Sequence, residues 1–215
     1  MLTICVQAGG RSSRMGEDKA LKIFLGRPLI QRVIERLAPI ADEIIVTTNR
    51  PADYGFLNLR LFSDIKPDRG ALGGLYTAIA SATHPIVAVV ACDMPFASPG
   101  LIEAMSRLLV DAEREADVVI ARVASQEERA GKSGEGYEPL HAVYRRDTCL
   151  PAIEAAIDAD QWKVIAWFAQ VKVRVLTPEE LKASDPDGLA FWNVNTPEEF
   201  TKAEEIANKN PEGME

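Results

Sequence analysis

Two hydrophobic periods alternate along this chain. Leu2–Gln7 is a short, nearly continuous apolar run that stops at Ala8-Gly9-Gly10, the pattern of a buried strand. After a long loop to about Leu25, Pro28 stands at the first position of an amphipathic helix. Leu29, Ile30, Val33, Ile34 and Leu37 share one of its faces. Glu43–Thr48 and Leu59–Phe62 read as strands. Asp64–Gly74 reads as a polar, glycine-rich loop, and a helix follows over about Leu75–Ala82. Pro85–Ala91 is the most apolar run of the chain. It predicts a central strand buried on both faces, ending abruptly at Cys92-Asp93-Met94-Pro95.

Ser98-Pro99 caps a helix to about Val110, and Asp117–Ala121 is a further strand. Ser125–Gly136 is polar and reads as a surface loop. Beyond it the pattern predicts a strand at Tyr137–Tyr144, helices at Asp147–Ile157 and Gln161–Gln170, and a strand at Val171–Leu176. Thr177-Pro-Glu-Glu180 and Thr196-Pro-Glu-Glu199 carry the same helix start: threonine cap, proline next, glutamate closing a capping box. The alternation of strand and helix predicts an α/β architecture around a mostly parallel sheet. With 215 residues and no strong linker, residues 1–208 are expected to be a single domain and 209–215 a frayed tail.

Charge changes the picture. The net charge of −8 argues against nucleic acid as a partner, yet residues 1–36 carry +4 and the remainder −12. Arg11, Arg14 and Lys19 stand in a glycine-bearing loop rather than on a helix surface, which suits a small anionic ligand. No run approaches the roughly eighteen apolar residues of a membrane span, and the start has no basic region before its apolar stretch. A cytoplasmic location away from membranes is the expectation. Cys5, Cys92 and Cys149 are widely spaced and read as reduced thiols. His84 and His141 are too few and too far apart for a zinc site, so no structural metal is expected.

The candidate chemistry lies at Ala8-Gly9-Gly10-Arg11-Ser12-Ser13-Arg14-Met15-Gly16-Glu17-Asp18-Lys19. Adjacent glycines let backbone N–H groups approach phosphate oxygens, and Arg14 and Lys19 add positive charge. The spacing is neither the dinucleotide fingerprint nor a P-loop, which argues against a Rossmann oxidoreductase.

These residues resemble the signature of the molybdenum cofactor guanylyltransferases of the MobA type, within the nucleotidyltransferase superfamily. The resemblance continues in order along the chain. It takes in Gly26-Arg27-Pro28-Leu29-Ile30, Asp64 with Gly70-Ala71-Leu72-Gly73-Gly74, Ala91-Cys92-Asp93-Met94-Pro95, Pro139-Leu140-His141-Ala142-Val143-Tyr144, and Asn193-Val194-Asn195-Thr196-Pro197-Glu198. Ala71 replaces a proline common in the family, and Gln7 replaces a frequent leucine.

The resemblance implies a three-layer, Rossmann-like nucleotidyltransferase fold. It also implies transfer of GMP from Mg²⁺-bound GTP to the terminal phosphate of molybdopterin. Asp93 would be the magnesium carboxylate, at the carboxyl edge where open α/β sheets place ligands. Lys19 and Arg14 would hold the triphosphate and the departing pyrophosphate, and Asn195 would reach towards the metal and phosphates. Gln7, Ala8, Gly9 and Gly10 would bracket base and phosphates with backbone groups, and Thr47 and Asp64 would lie near base and ribose. Thr47 reads equally well as a plain strand residue. His141 is read as a strand or pocket-wall residue. Proteins that donate or accept the cofactor are implied as partners. The residues leave other nucleotidyl transfers open: CTP with the same pterin, or a cobinamide or sugar phosphate acceptor. A catalytically silent nucleotide-binding module is a further alternative, against which the joint presence of Lys19, Asp93 and Asn195 argues.

Overall fold

A computed structural model describes residues 1–9, 18–111, 115–123 and 136–209. Among these residues one seven-stranded sheet forms the centre. In chain order its strands are β1 (Leu2–Gln7), β4 (Glu43–Thr47), β5 (Arg60–Phe62), β6 (Ile86–Ala91), β7 (Val118–Ile120), β8 (His141–Arg145) and β9 (Val173–Val175). The spatial order is β5-β4-β1-β6-β8-β7-β9. β1 pairs in parallel with β4 and β6, β4 with β5, and β7 with β9. β8 runs antiparallel to both its neighbours. That reversal brings the segment before β8 to the edge where β1, β4 and β6 end.

The six residues of β1 and the six of β6 are all buried, as the unbroken apolar run of β6 and the nearly continuous one of β1 require of strands covered on both faces. On one face lie helices α1 (Leu29–Leu37) and α3 (Pro99–Val110), whose Ile30, Val33, Leu37, Leu101, Ile102 and Met105 pack with Ile4, Val6, Ala88 and Val90. On the other lie α2 (Gly70–Ser81) and α4 (Arg146–Asp158), packed with Cys5, Ile45, Val87 and Val89. The alternation of side chains along each strand thus feeds two separate cores. A short helix, α5 (Pro178–Ser184), starts with Thr177 and Glu180 in a complete capping box. The last helix, α6 (Pro197–Lys209), packs Phe200 and Ala203 against Phe24, Leu29 and Phe96.

Several elements depart from the sequence pattern. The glycine-rich segment expected as loop is helical from Gly70, because Gly73 and Gly74 pack so closely that a side chain at either would collide with Lys66 or Gln7. Propensity disfavours glycine in a helix, and here packing overrides it. Within the loop expected up to Leu25, residues 19–21 form a 3₁₀ turn and a two-stranded ribbon follows. Its strands are β2 (Ile23–Phe24) and β3 (Arg27–Pro28), turned by Leu25 and Gly26 at positive φ. The helix expected over Gln161–Gln170 shrinks to a 3₁₀ turn at Phe168–Gln170. Burial of Trp167, whose Nε1 donates to the Val164 carbonyl at 2.8 Å, sets that segment's path. The strand expected at Tyr137–Tyr144 is divided: Tyr137 makes an isolated bridge to Arg122, Pro139 interrupts, and β8 begins at His141. Residues 125–135 of the expected surface loop and 210–215 of the expected tail lie outside the described residues, while Lys209, expected in the tail, ends the last helix.

Candidate active site

The carboxyl edge of the sheet collects the candidate residues because parallel strands release their chains on the same side. Asp93 follows β6 by two residues. Lys19 comes from the 3₁₀ turn after β1, and Asn195 from the segment leading into α6. Lys19 Nζ donates to Asn195 Oδ1 at 2.8 Å and stands 3.9 Å from Asp93 Oδ2. One ammonium therefore joins residues separated by 74 and 176 positions in sequence. The backbone reinforces the junction, with Val194 N donating to Asp93 O at 3.0 Å.

Lys19 is held from behind by Asp18. That carboxylate caps the 3₁₀ turn, accepting from Ala20 N at 3.1 Å, and also accepts from Tyr54 Oη at 2.6 Å and from the Arg50 guanidinium. The segment 185–195 is tied down in turn. Asp185 accepts from Leu189 N and Ala190 N, both at 3.1 Å, and the Ala190 carbonyl lies 3.1 Å from His141 Nδ1. His141 is fully buried with its ring against Phe191, and burial lowers its pKa to about 4, so it stays neutral. It is a wall residue beneath the site.

Partial burial raises the Asp93 pKa, Lys19 opposes the rise and Glu199 adds to it. Such a carboxylate favours a further cation close by. Next to it Cys92 is a neutral thiol, held so by burial and by the neighbouring Asp93.

The chain leaving β1 is fixed on both sides: Ala8 N donates to Thr47 O at 2.8 Å, and Cys92 N to Gln7 O at 3.1 Å. Gly9 is exposed, and a Cβ built there meets no protein atom within 4 Å, so the space beside its backbone is open. Gly10, Arg11 and Arg14 lie outside the described residues. Thr47 is buried as a strand residue: its hydroxyl lies 3.9 Å from Cys5 Sγ inside the sheet, and its carbonyl is the acceptor for Ala8 N. Asp64 pairs with Asn49, which the sequence reading did not single out. Asn49 Nδ2 donates to Asp64 Oδ2 at 2.7 Å, and Asn49 Oδ1 accepts from Asp64 N at 3.0 Å. The signal for Asn49 was its place at the end of an apolar strand in Thr47-Thr48-Asn49, masked by the turn propensity of Asn49-Arg50-Pro51.

A fit to Mg²⁺ rests on donor chemistry. The ion takes oxygen ligands, commonly one or two carboxylates with phosphate and water completing the shell. Asp93 offers a half-buried carboxylate beside Lys19, and Asn195 an amide oxygen. Among the described residues no group of three metal-ligating side chains forms a self-sufficient cage. The residues fit a magnesium ion that arrives with a nucleotide.

The model of the MobA-like NTP transferase domain matches residues 4–173, from within β1 to the first residue of β9. The chain belongs to this family. It is a nucleotidyltransferase, and its relatives agree over nearly their full lengths. A molybdenum cofactor guanylyltransferase of Desulfosudis oleivorans is 34% identical, covering 94% of each chain. A probable molybdenum cofactor guanylyltransferase of Peptoclostridium acidaminophilum is 32% identical over 95% of this chain and 89% of its own. The crystal structure of molybdopterin-guanine dinucleotide biosynthesis protein A from Archaeoglobus fulgidus superposes with a TM-score of 0.77, covering 96% of this chain and 99% of that one. At 24% identity this is a likeness of fold. The mostly parallel sheet with helices on both faces is thus the nucleotidyltransferase fold of the family. Among the described residues no helix is long and apolar enough to cross a membrane.

Proposed function

We propose that this protein transfers GMP from GTP to the terminal phosphate of molybdopterin, forming the guanine dinucleotide cofactor and releasing pyrophosphate. The observation that carries the reading is the junction of Lys19 with Asp93 and Asn195 at the end of the glycine-bearing loop. The pterin phosphate oxygen attacks the α-phosphorus of GTP. A new P–O bond forms as the bond to the bridging oxygen of the β-phosphate breaks. The nucleophile is already an anion, so positioning and charge neutralisation supply the catalysis.

Lys19 holds the triphosphate and neutralises charge on the departing pyrophosphate. Asp93, with Asn195 beside it, is the residue that would hold Mg²⁺; the ion's contribution when bound is neutralisation of phosphate charge. Ala8 and Gly9 carry the chain past the phosphates, with Gly10 and Arg14 of the adjoining loop assigned to the same task. Asp64, oriented by Asn49, would hold a ribose hydroxyl. Residues 1–208 act as one unit in this reading, because α6 seats Asn195 while packing on the β2–β3 ribbon. Partners that bring molybdopterin or receive the product, and a cytoplasmic setting, complete the proposal.

The test is a competition. Purified protein is incubated with Mg²⁺, molybdopterin and equimolar GTP, CTP and ATP, and the attached nucleotide is identified by mass. Attachment of GMP with stoichiometric pyrophosphate supports the proposal. CMP alone would replace the guanylyl assignment, and binding without pyrophosphate release would leave a silent nucleotide-binding protein.

A further inference from the structure

Glu138 stands just before the antiparallel strand β8, at the carboxyl edge of the sheet. Its backbone is fixed on both sides: Glu138 N donates to Ala121 O at 3.1 Å, and Glu138 O accepts from His141 N at 3.1 Å. Its carboxyl, by contrast, is uncommitted. The residue is half-buried, and among the described residues the carboxyl takes part in no hydrogen bond or ion pair. Other carboxylates at this edge have donors: Asp18 takes Tyr54 and Arg50, Asp64 takes Asn49, and Asp93 faces Lys19. Burial, with no neighbouring charge to offset it, raises the Glu138 carboxyl to about 7. A partly desolvated carboxylate without donors is costly to keep. At a ligand-binding edge it calls for donors that the ligand supplies.

Its place in the sheet decides which part of the reaction it meets. Ala91 N donates to Leu140 O at 2.9 Å, where β6 and the segment before β8 part. Asp93 lies two residues beyond that bond and Glu138 two residues before it, so the two leave the same edge on neighbouring chains. In the proposed reaction the nucleoside takes the end of β1 and the Asn49–Asp64 pair, and its phosphates meet Lys19 and Asp93. The strand order β5-β4-β1-β6-β8 then puts Glu138 on the other side of the phosphates from the nucleoside. That side is left for the acceptor. We infer that Glu138 reads the head of the acceptor, its carboxylate accepting from the ring N–H and the 2-amino group of the pterin. This rests on the proposed nucleotidyl transfer and adds an acceptor-specificity contact to it. A carboxylate has two oxygens that can accept two parallel N–H bonds, and charge-assisted pairs of this kind are the strong ones. A sugar phosphate offers hydroxyls but no such edge, so the contact would select a pterin against it.

The experiment compares the wild type with Glu138→Gln, with molybdopterin as acceptor and the nucleoside triphosphate that the wild type uses best. Two competitors of molybdopterin serve as probes: 6-hydroxymethylpterin, and its lumazine counterpart, in which a carbonyl replaces the 2-amino group. The expected result is a roughly ten- to hundredfold rise in KM for molybdopterin, the size of hydrogen bonds to a charged group. KM for the nucleotide stays within about twofold. The wild type is inhibited more strongly by the pterin than by the lumazine, and Glu138→Gln loses that preference. A structural role alone would not move the ratio of the two inhibition constants. An unaltered molybdopterin KM overturns the inference, and so does a wild type that does not distinguish the two probes. An equal rise in KM for molybdopterin and nucleotide marks a structural disturbance and overturns it too. If Glu138→Gln does not fold, Glu138→Leu removes the polar group at similar volume and gives the same readout. A wild type that prefers CTP refutes the guanylyl reading alone, because the molybdopterin comparison then runs with CTP. A wild type that joins no nucleotide to molybdopterin refutes the proposed function, and this inference with it.

Discussion

Lys19 Nζ donates to Asn195 Oδ1 at 2.8 Å, across 176 positions of sequence. The contact makes the amino-terminal loop and the carboxy-terminal segment two sides of one site, with Asp93 of the central strand's exit between them. In the proposed function the Lys19 side chain that meets the phosphates is thereby pre-positioned by its neighbours, which reduces the ordering needed when substrate binds.

Replacing Lys19 by alanine removes the ammonium shared by Asp93 and Asn195. Turnover is expected to fall by about 10²–10³, the loss seen when one preorganised charge-stabilising group is deleted. The melting temperature should move little, since the Asp18–Tyr54–Arg50 anchor stays in place. Lys19→Arg is expected to restore little, because a planar guanidinium fork does not fit where one ammonium stands. Steady-state kinetics beside a thermal melt check this; near-wild-type turnover in Lys19→Ala would remove Lys19 from the mechanism.

Asp93→Asn separates function from stability. Burial already disfavours the charged carboxylate, so a neutral amide of the same shape should leave the melting temperature unchanged or slightly raised. Activity should fall at least about hundredfold, and titrating Mg²⁺ should not recover it. A variant that loses stability and activity together would point to a structural role for the carboxylate.

Gly73 and Gly74 are adjacent in α2 but should respond differently to alanine. At Gly73 a Cβ would lie 2.7 Å from the Lys66 carbonyl oxygen, which is backbone and cannot step aside cheaply. Gly73→Ala should destabilise the fold by about 1–3 kcal/mol, the usual cost of overpacking. At Gly74 the obstacle is the mobile end of Gln7, so alanine should cost less in stability, part of it offset by better helix propensity. Chemical denaturation of the two variants gives the comparison; equal destabilisation would mean that Gln7 is as immovable as backbone.

Glu138 sets a pH dependence. It lies just before β8 at the carboxyl edge, and burial pushes its carboxyl up to about 7. The unfolded chain releases this proton near the ordinary value of about 4.3, so between there and 7 the native state holds the extra proton. The stability this contributes is complete below the unfolded value and is lost as the pH rises through 7. Glu138→Gln should escape the loss, and its melting temperature relative to wild type should climb from pH 5 to pH 8. A constant offset across that range would show that the carboxyl titrates normally.

Sequence patterning was informative wherever one period ran long enough to decide the element. The nearly continuous apolar run of β1, the unbroken one of β6 and the single apolar face of α1 left no competing arrangement. It was weaker where long-range packing sets the backbone. Gly70–Gly74 reads as loop by propensity, and only contact with Lys66 and Gln7 explains why helix wins. Gln161–Gln170 has helical composition, but the buried Trp167 directs it otherwise. In the candidate site, Lys19, Asp93 and Asn195 were legible as motif residues, while the partners that orient them were not. Tyr54 and Arg50 find Asp18 from 36 and 32 positions away, and no local pattern carries that information. Asn49 was hidden for the opposite reason, since its local pattern spelled a turn.

The clasp between Val194 N and Asp93 O has a consequence for the order in which the molecule is made. The sheet's central strands and the carboxylate at position 93 leave the ribosome well before the segment that fastens over them. A nascent chain that ends short of Asn195 lacks one of the three residues joined at Lys19. On the proposed function, catalysis waits until the segment carrying Asn195 has been made, and a product truncated before it is expected to be inert rather than unregulated.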